Sequence, residues 1–188
     1  MTIVGHALTG MAIAVALAPR RLGAAGWAAV LAVGVLAGNM PDVPLPSGGY
    51  QRYEISHSVF VFAAIMLALT GVLLLWPRGK LEFRGRLAGM IALAWMSNLV
   101  LGCCDKPGRG LPIFWPFAWK LALPLRWFPT LPDGGGLWDP RMLQAALTDV
   151  EFSGPILLLA VACRLLGGWR ARRAAAGSAP EPAAPQVL

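Results

Sequence analysis

Charge is what this chain has least of. Asp, Glu, Lys and Arg make up 13% of its 188 residues, against about 25% in an average soluble domain. That leaves too few polar side chains to clothe a water-facing surface and excludes an ordinary soluble enzyme. A hydrophobic content of 57% equally excludes an intrinsically disordered chain. Cysteine is scarce as well: Cys103 and Cys104 are adjacent and Cys163 stands alone, which builds neither a secreted disulfide framework nor a zinc knuckle. No cationic stretch precedes the first apolar block, so that block reads as a retained helix rather than a secretory leader, although the small residues before Pro19 leave cleavage open. No internal repeat is evident.

What is abundant is apolar sequence in blocks. Five stretches, about 2–18, 22–38, 57–76, 87–104 and 150–166, each have roughly the 17 to 20 residues that cross the hydrocarbon core of a bilayer. The expected fold class is all-α: a polytopic transmembrane helical bundle of about five spans over 1–173, followed by a disordered Ala/Pro/Gly/Ser tail at 174–188. Between spans four and five runs a long connection, 105–149, in which Trp115, Trp119 and Trp127 stand among prolines and cations. That mixture suits an interfacial loop at headgroup level. Ala24-Ala25-Gly26, Gly34 and Gly38 would let helices approach closely.

The net charge of +7 collects at block ends: Arg20 and Arg21; Arg78, Lys80, Arg84 and Arg86; Arg170, Arg172 and Arg173. This is where juxtamembrane cations meet anionic headgroups, not the stripe of a nucleic-acid-binding face, so no nucleic-acid partner is expected. The short loops orient a multi-pass membrane protein with its amino terminus outside and its carboxyl terminus cytoplasmic.

With five spans, both histidines and seven of the nine acids (Asp42, Glu54, Asp105, Asp133, Asp139, Asp149, Glu151) fall at one side of the membrane. Two imidazoles and several carboxylates at one rim form a ligand set suited to zinc, manganese or iron. Plainer roles stand beside each. Ser56 is a natural N-cap that would start a helix at His57, and Asp42 after Pro41 and Asp105 before Pro107-Gly108 both suit turns. Asn98, inside span four, is costly in lipid unless it bonds a neighbouring helix.

The order of short motifs resembles the YdjM-like family of inner-membrane-associated, metal-dependent hydrolases. The matching pieces are His6 in the first helix, Pro41-Asp42 after the second, Ser56-His57-Ser58 at the start of the third, and Gly110 through Trp115-Pro116-Phe117 after the fourth. There are departures. Val43-Pro44 stands where the family has a second acid, and Gln51-Arg52-Tyr53-Glu54 stands where it has a His-Arg pair. Its fourth-helix His and Asp are replaced by Asn98 and Gly102, or by Val100 and Cys104 with Asp105 one position late. Either Asp105 with Glu54 or Glu151 substitutes for the lost ligand, or the metal is lost.

The resemblance implies a membrane-embedded metal-dependent hydrolase acting on an amphiphilic ester, a lipid or lipid-linked substrate, at the outer face. The expected metal ligands are His6, Asp42, His57 and Asp105, holding a divalent zinc or manganese ion. Glu54 or Glu151 would be the catalytic general base, and Arg52 and Lys106 would hold a substrate phosphate. The alternative is a non-enzymatic accessory or partner-binding subunit on the same scaffold with a degenerate metal site. The partners implied are membrane lipid, with a homo-oligomer or a membrane-protein partner left open.

Overall fold

The computed structural model describes residues 1–42, 54–76, 81–104, 110–125, 127–128 and 139–177. Of the tail expected to be disordered at 174–188, residues 174–177 are helical instead, and those from 178 onward lie outside the described residues. Five helices carry the fold: α1 Ile3–Leu17, α2 Ala24–Asn39 continued by a 3₁₀ turn Met40–Asp42, α3 Val59–Leu75, α4 Leu81–Gly102 and α5 Pro140–Gly177. Among the described residues there is no strand, only a bridge between Leu111 and Leu121. Three segments, Ala24–Asp42, Leu81–Gly102 and Pro140–Arg173, are long and apolar enough to cross a membrane, while Ile3–Leu17 and Val59–Leu75 are apolar but shorter. The outward faces are greasy, with Leu67 77% and Leu158 70% exposed, as hydrocarbon solvent allows and water does not.

Local chemistry sets most of the helix ends. The Thr2 hydroxyl accepts the Val4 N–H at 3.2 Å and starts α1; Pro19 lies just past its end, where no helix can continue easily. Ser58, not Ser56, caps α3, accepting from Phe60 N–H at 3.2 Å, because residues 54–56 form a helical turn of their own. The fifth helix starts ten residues before the expected span at 150. Asp139 Oδ1 accepts the Arg141 N–H at 2.9 Å, and Pro140 sits at the first helical position, where its missing N–H costs nothing. At 34 residues, Pro140–Arg173 is about 51 Å long, well beyond the roughly 30 Å hydrocarbon core. Pro155 lies within it.

Successive helices run in opposite directions, and α1 is the hub. It packs against α2, α4 and α5, while α3 leans on α4. The α1–α2 crossing is backbone against backbone. A Cβ built on Gly34 would lie 2.5 Å from Gly10 O, and one on Gly38 2.6 Å from His6 O, so the small residues expected to permit close approach do so at Gly34 and Gly38. One apolar core gathers Ala14, Ala18, Val30 and Met90 at one end of α1; another joins Met1, Cys104 and Phe128 at the other. The Trp/Pro segment folds back over that second end. Leu111 and Leu121 exchange backbone hydrogen bonds at 2.8 and 2.9 Å, Gly110 takes φ +67 to permit the turn, and the Trp115–Pro116 bond is cis. The segment is pinned to α3 by Val59 N–H to Ile113 O at 2.7 Å and by the Ser58 hydroxyl to Trp115 O at 2.7 Å.

Candidate functional site

The helix directions carry the start of α1, the end of α2, the residue before α3 and the last third of α4 to one end of the bundle. Four polar side chains meet there. His6 Nε2 lies 3.6 Å from Asp42 Oδ2, and His57 Nε2 lies 3.2 Å from Asp42 Oδ1. Asn98 Nδ2 donates to Asp42 Oδ2 at 2.6 Å and to the Gly38 carbonyl at 2.9 Å. His57 and Asn98 are each 1% exposed and His6 4%, whereas the Asp42 side chain is 25% exposed. The carboxylate is therefore the open side of an otherwise closed cluster.

Each position has a local reason. Asp42 is brought within reach because α2 tightens into a 3₁₀ turn at Met40-Pro41-Asp42. His6 reaches it because glycine at position 38 lets α1 ride against α2 at its own backbone oxygen. His57 is held in the bend between residues 54–56 and α3, with Ser56 Oγ 3.1 Å from its Nδ1; a hydroxyl can donate or accept there and so serves either tautomer. The amide of Asn98 must present nitrogen, not oxygen, to Asp42, since an oxygen at 2.6 Å from a carboxylate would be repulsive.

The donor types suit a divalent ion. Two imidazoles and a carboxylate are a catalytic-zinc ligand set, and ligands about 2.0–2.2 Å from a shared tetrahedral ion lie roughly 3.3 Å apart, close to the observed 3.2 and 3.6 Å. Ser56 and Asn98 supply the outer hydrogen bonds that orient such ligands, and His6 Nδ1 is buried without a partner. Among the described residues, however, no three His, Cys, Asp or Glu side chains are gathered as a group able to hold an ion: the two imidazoles address different oxygens of Asp42. The residues fit in kind and in the two imidazole–carboxylate spacings, not as a closed cage.

Of the other expected site residues, Asp105, Arg52 and Lys106 lie outside the described residues. Glu54 is half-buried in the turn before His57 and Glu151 is exposed on α5; no hydrogen bond or ion pair joins either to the cluster. Asn98 was legible as a residue in need of a helix-crossing bond and as one candidate for the place of the family's fourth-helix His. Asp149 was passed over as one of many rim acids, yet it is fully buried, accepting the Thr2 N–H at 2.5 Å through Oδ2 while Oδ1 has no partner among the described residues. The signal for it was its spacing of four from Ser153, one helical face, since Ser153 bonds Thr9 of α1 at 3.2 Å.

The profile of the YdjM inner membrane protein family matches residues 1–174, so the match takes in all four cluster residues. No curated protein and no solved structure matches the chain significantly.

Proposed function

Because this chain belongs to the YdjM inner membrane protein family and turns two buried imidazoles onto one carboxylate, we propose that it is a membrane-embedded, metal-dependent hydrolase of an amphiphilic ester. Its location in the inner membrane follows from the family and the apolar helices. The finer topology proposed is five crossings, amino terminus outside and carboxyl terminus cytoplasmic. The alternating helix directions and the cation-rich opposite end support it.

The single observation that carries the proposal is the meeting of His6, Asp42 and His57, from three separate elements, at one end of the bundle. These three would hold the ion. When bound, a divalent ion there supplies Lewis acidity and a water acidified toward neutrality. The chain's own groups do the rest. Asn98 fixes the carboxylate and Ser56 fixes the His57 ring. The partly exposed edge of Asp42 is the side from which a substrate would arrive. Asp105 as a fourth ligand, Glu54 or Glu151 as proton acceptor, and Arg52 and Lys106 as phosphate holders extend the same proposal. A lipid or lipid-linked ester is favoured because the Trp-rich segment beside the site exposes Phe117, Trp119 and Trp127.

The absence of a three-donor group among the described residues favours a second reading: the cluster is an ion-free polar clasp that locks four elements of a non-enzymatic subunit together. Metal analysis of detergent-purified protein separates the two. Stoichiometric zinc or manganese that disappears in His57→Ala, together with ester hydrolysis that disappears with it, is the expected result. Metal-free protein that takes up neither ion on addition would leave the clasp as the answer.

A further inference from the structure

At the other end of α1, about 18 Å along the helix from His6 to Ala18, α1, α4 and α5 border an open groove of about 1780 Å³. Its lining is divided. Toward the middle of the bundle it is apolar, with Ile13 on α1 facing Ile156 and Leu159 on α5. Toward the end it carries five arginines, Arg20, Arg21, Arg86, Arg164 and Arg172, against one acid, Glu82. Trp27 and Trp169 stand at the cationic end, as tryptophans do where hydrocarbon gives way to headgroups.

The arginines are not equally engaged. Arg164 is committed to the protein: its guanidinium donates to Val15 O and Ala18 O at 2.8 Å and to Pro19 O, and lies 4.6 Å over the Trp27 ring. Arg86 pairs with Glu82 at 2.6 Å. Arg20, Arg21 and Arg172 are exposed and have no acidic partner among the described residues. Three uncompensated guanidinium forks at the end of an apolar trough complement one kind of molecule, an amphiphile with an anionic phosphate head. The groove also exceeds the roughly 300–1,000 Å³ of small-molecule pockets, so a free phosphate would leave most of it unfilled.

We propose that this groove is a binding site for an anionic phospholipid, its phosphate held by Arg20, Arg21 and Arg172 and its acyl chains laid between α1 and α5. Guanidinium forks grip phosphate bidentately, and Trp27, braced by Arg164, forms the wall between head and tail. The site is separate from the polar cluster, so His57→Ala leaves it intact.

The test uses the full chain purified in detergent, with phosphatidylglycerol, phosphatidylcholine or inorganic phosphate added and retained lipid counted by native mass spectrometry. The unfolding temperature is followed alongside. Expected is selective retention of phosphatidylglycerol with a rise in unfolding temperature, weakened by salt. Substituting Arg20→Gln, Arg21→Gln and Arg172→Gln together should lower that affinity on the order of a hundredfold, at about fivefold per removed cation, while the unfolding temperature in phosphatidylcholine is unchanged because all three side chains are exposed. The matching triple lysine variant should keep most of the selectivity. Equal retention of both lipids, an equal stabilisation by inorganic phosphate alone, or lysine losing as much as glutamine would each overturn the assignment.

Discussion

Replacing Asn98 by leucine, which keeps the branched skeleton but lacks the amide, probes the cluster most directly. Two hydrogen bonds leave with Nδ2. The one to Asp42 Oδ2, at 2.6 Å, is charge-assisted and worth about 1.5–3 kcal/mol; the one to Gly38 O, at 2.9 Å, is an interhelical bond of the kind that averages about 0.6 kcal/mol within membranes. Part is returned, because Asn98 Oδ1 is buried without a partner and its removal relieves on the order of 1 kcal/mol. The net expectation is a destabilisation of roughly 1–3 kcal/mol, measured by reversible SDS unfolding in mixed micelles followed by tryptophan fluorescence. A double-mutant cycle sharpens it: in an Asp42→Asn background the same Asn98→Leu change should cost less than about 1 kcal/mol, since the charge that strengthens the bond is gone. Bound metal, if present, should weaken by about 10–100-fold in the single variant through the loosened carboxylate. Additive effects in the cycle, or a variant as stable as the parent, would refute the claim that Asn98 acts through Asp42.

Three further expectations rest on other contacts. Gly38→Ala brings a Cβ to 2.6 Å from His6 O, so α1 and α2 must part; we expect a loss of about 2–4 kcal/mol in the same unfolding assay, and an unperturbed protein would contradict the backbone-contact crossing. Arg164→Gln removes the guanidinium that closes three carbonyls at the end of α1 and should cost about 1–2 kcal/mol, with Arg164→Lys intermediate because an ammonium lacks the fork; equal stability of all three proteins would remove the capping role. The Asp139 carboxyl, 16% exposed, is held below its ordinary range by its hydrogen bonds to the Arg141 side chain and backbone. A depressed folded value means its contribution is present above the ordinary carboxylate range and fades as pH falls through the lowered one. The protection of the first-turn amides of α5, measured against their intrinsic exchange rates, should therefore fall in acid, an effect that Asp139→Asn abolishes.

Much of the fold was readable because a membrane imposes one-dimensional rules. Apolar length marks helices whether or not their partners are known, and four of the five blocks match helices to within a turn or two. The start of α5 was misplaced although its signal was local: Asp139-Pro140 is an N-cap and first-turn pair, hidden inside a segment read as loop for its tryptophans and prolines. The cap of α3 was displaced from Ser56 to Ser58 because residues 54–56 spend Ser56 on a separate turn and on the His57 ring. For the cluster, the rim holding His6, Asp42 and His57 followed from counting spans. The motif resemblance marked Asp42, and offered Asn98 in place of a fourth-helix His, but nothing in one dimension showed that Asn98 bonds Asp42 or that Asp149 is buried against Thr2.

The apolar blocks and the cations at their ends by themselves determined that this chain is a helical membrane protein with its imidazoles at one rim, since a continuous apolar run of about 20 residues satisfies its own backbone across lipid as a helix. Only the tertiary structure decided which of the rim's groups touch. Contact among His6, Asp42, His57 and Asn98 depends on the glycine-level approach of α1 to α2 and on the register of α4 against both, and such distances are set by packing in three dimensions, to which spacing along the chain is blind.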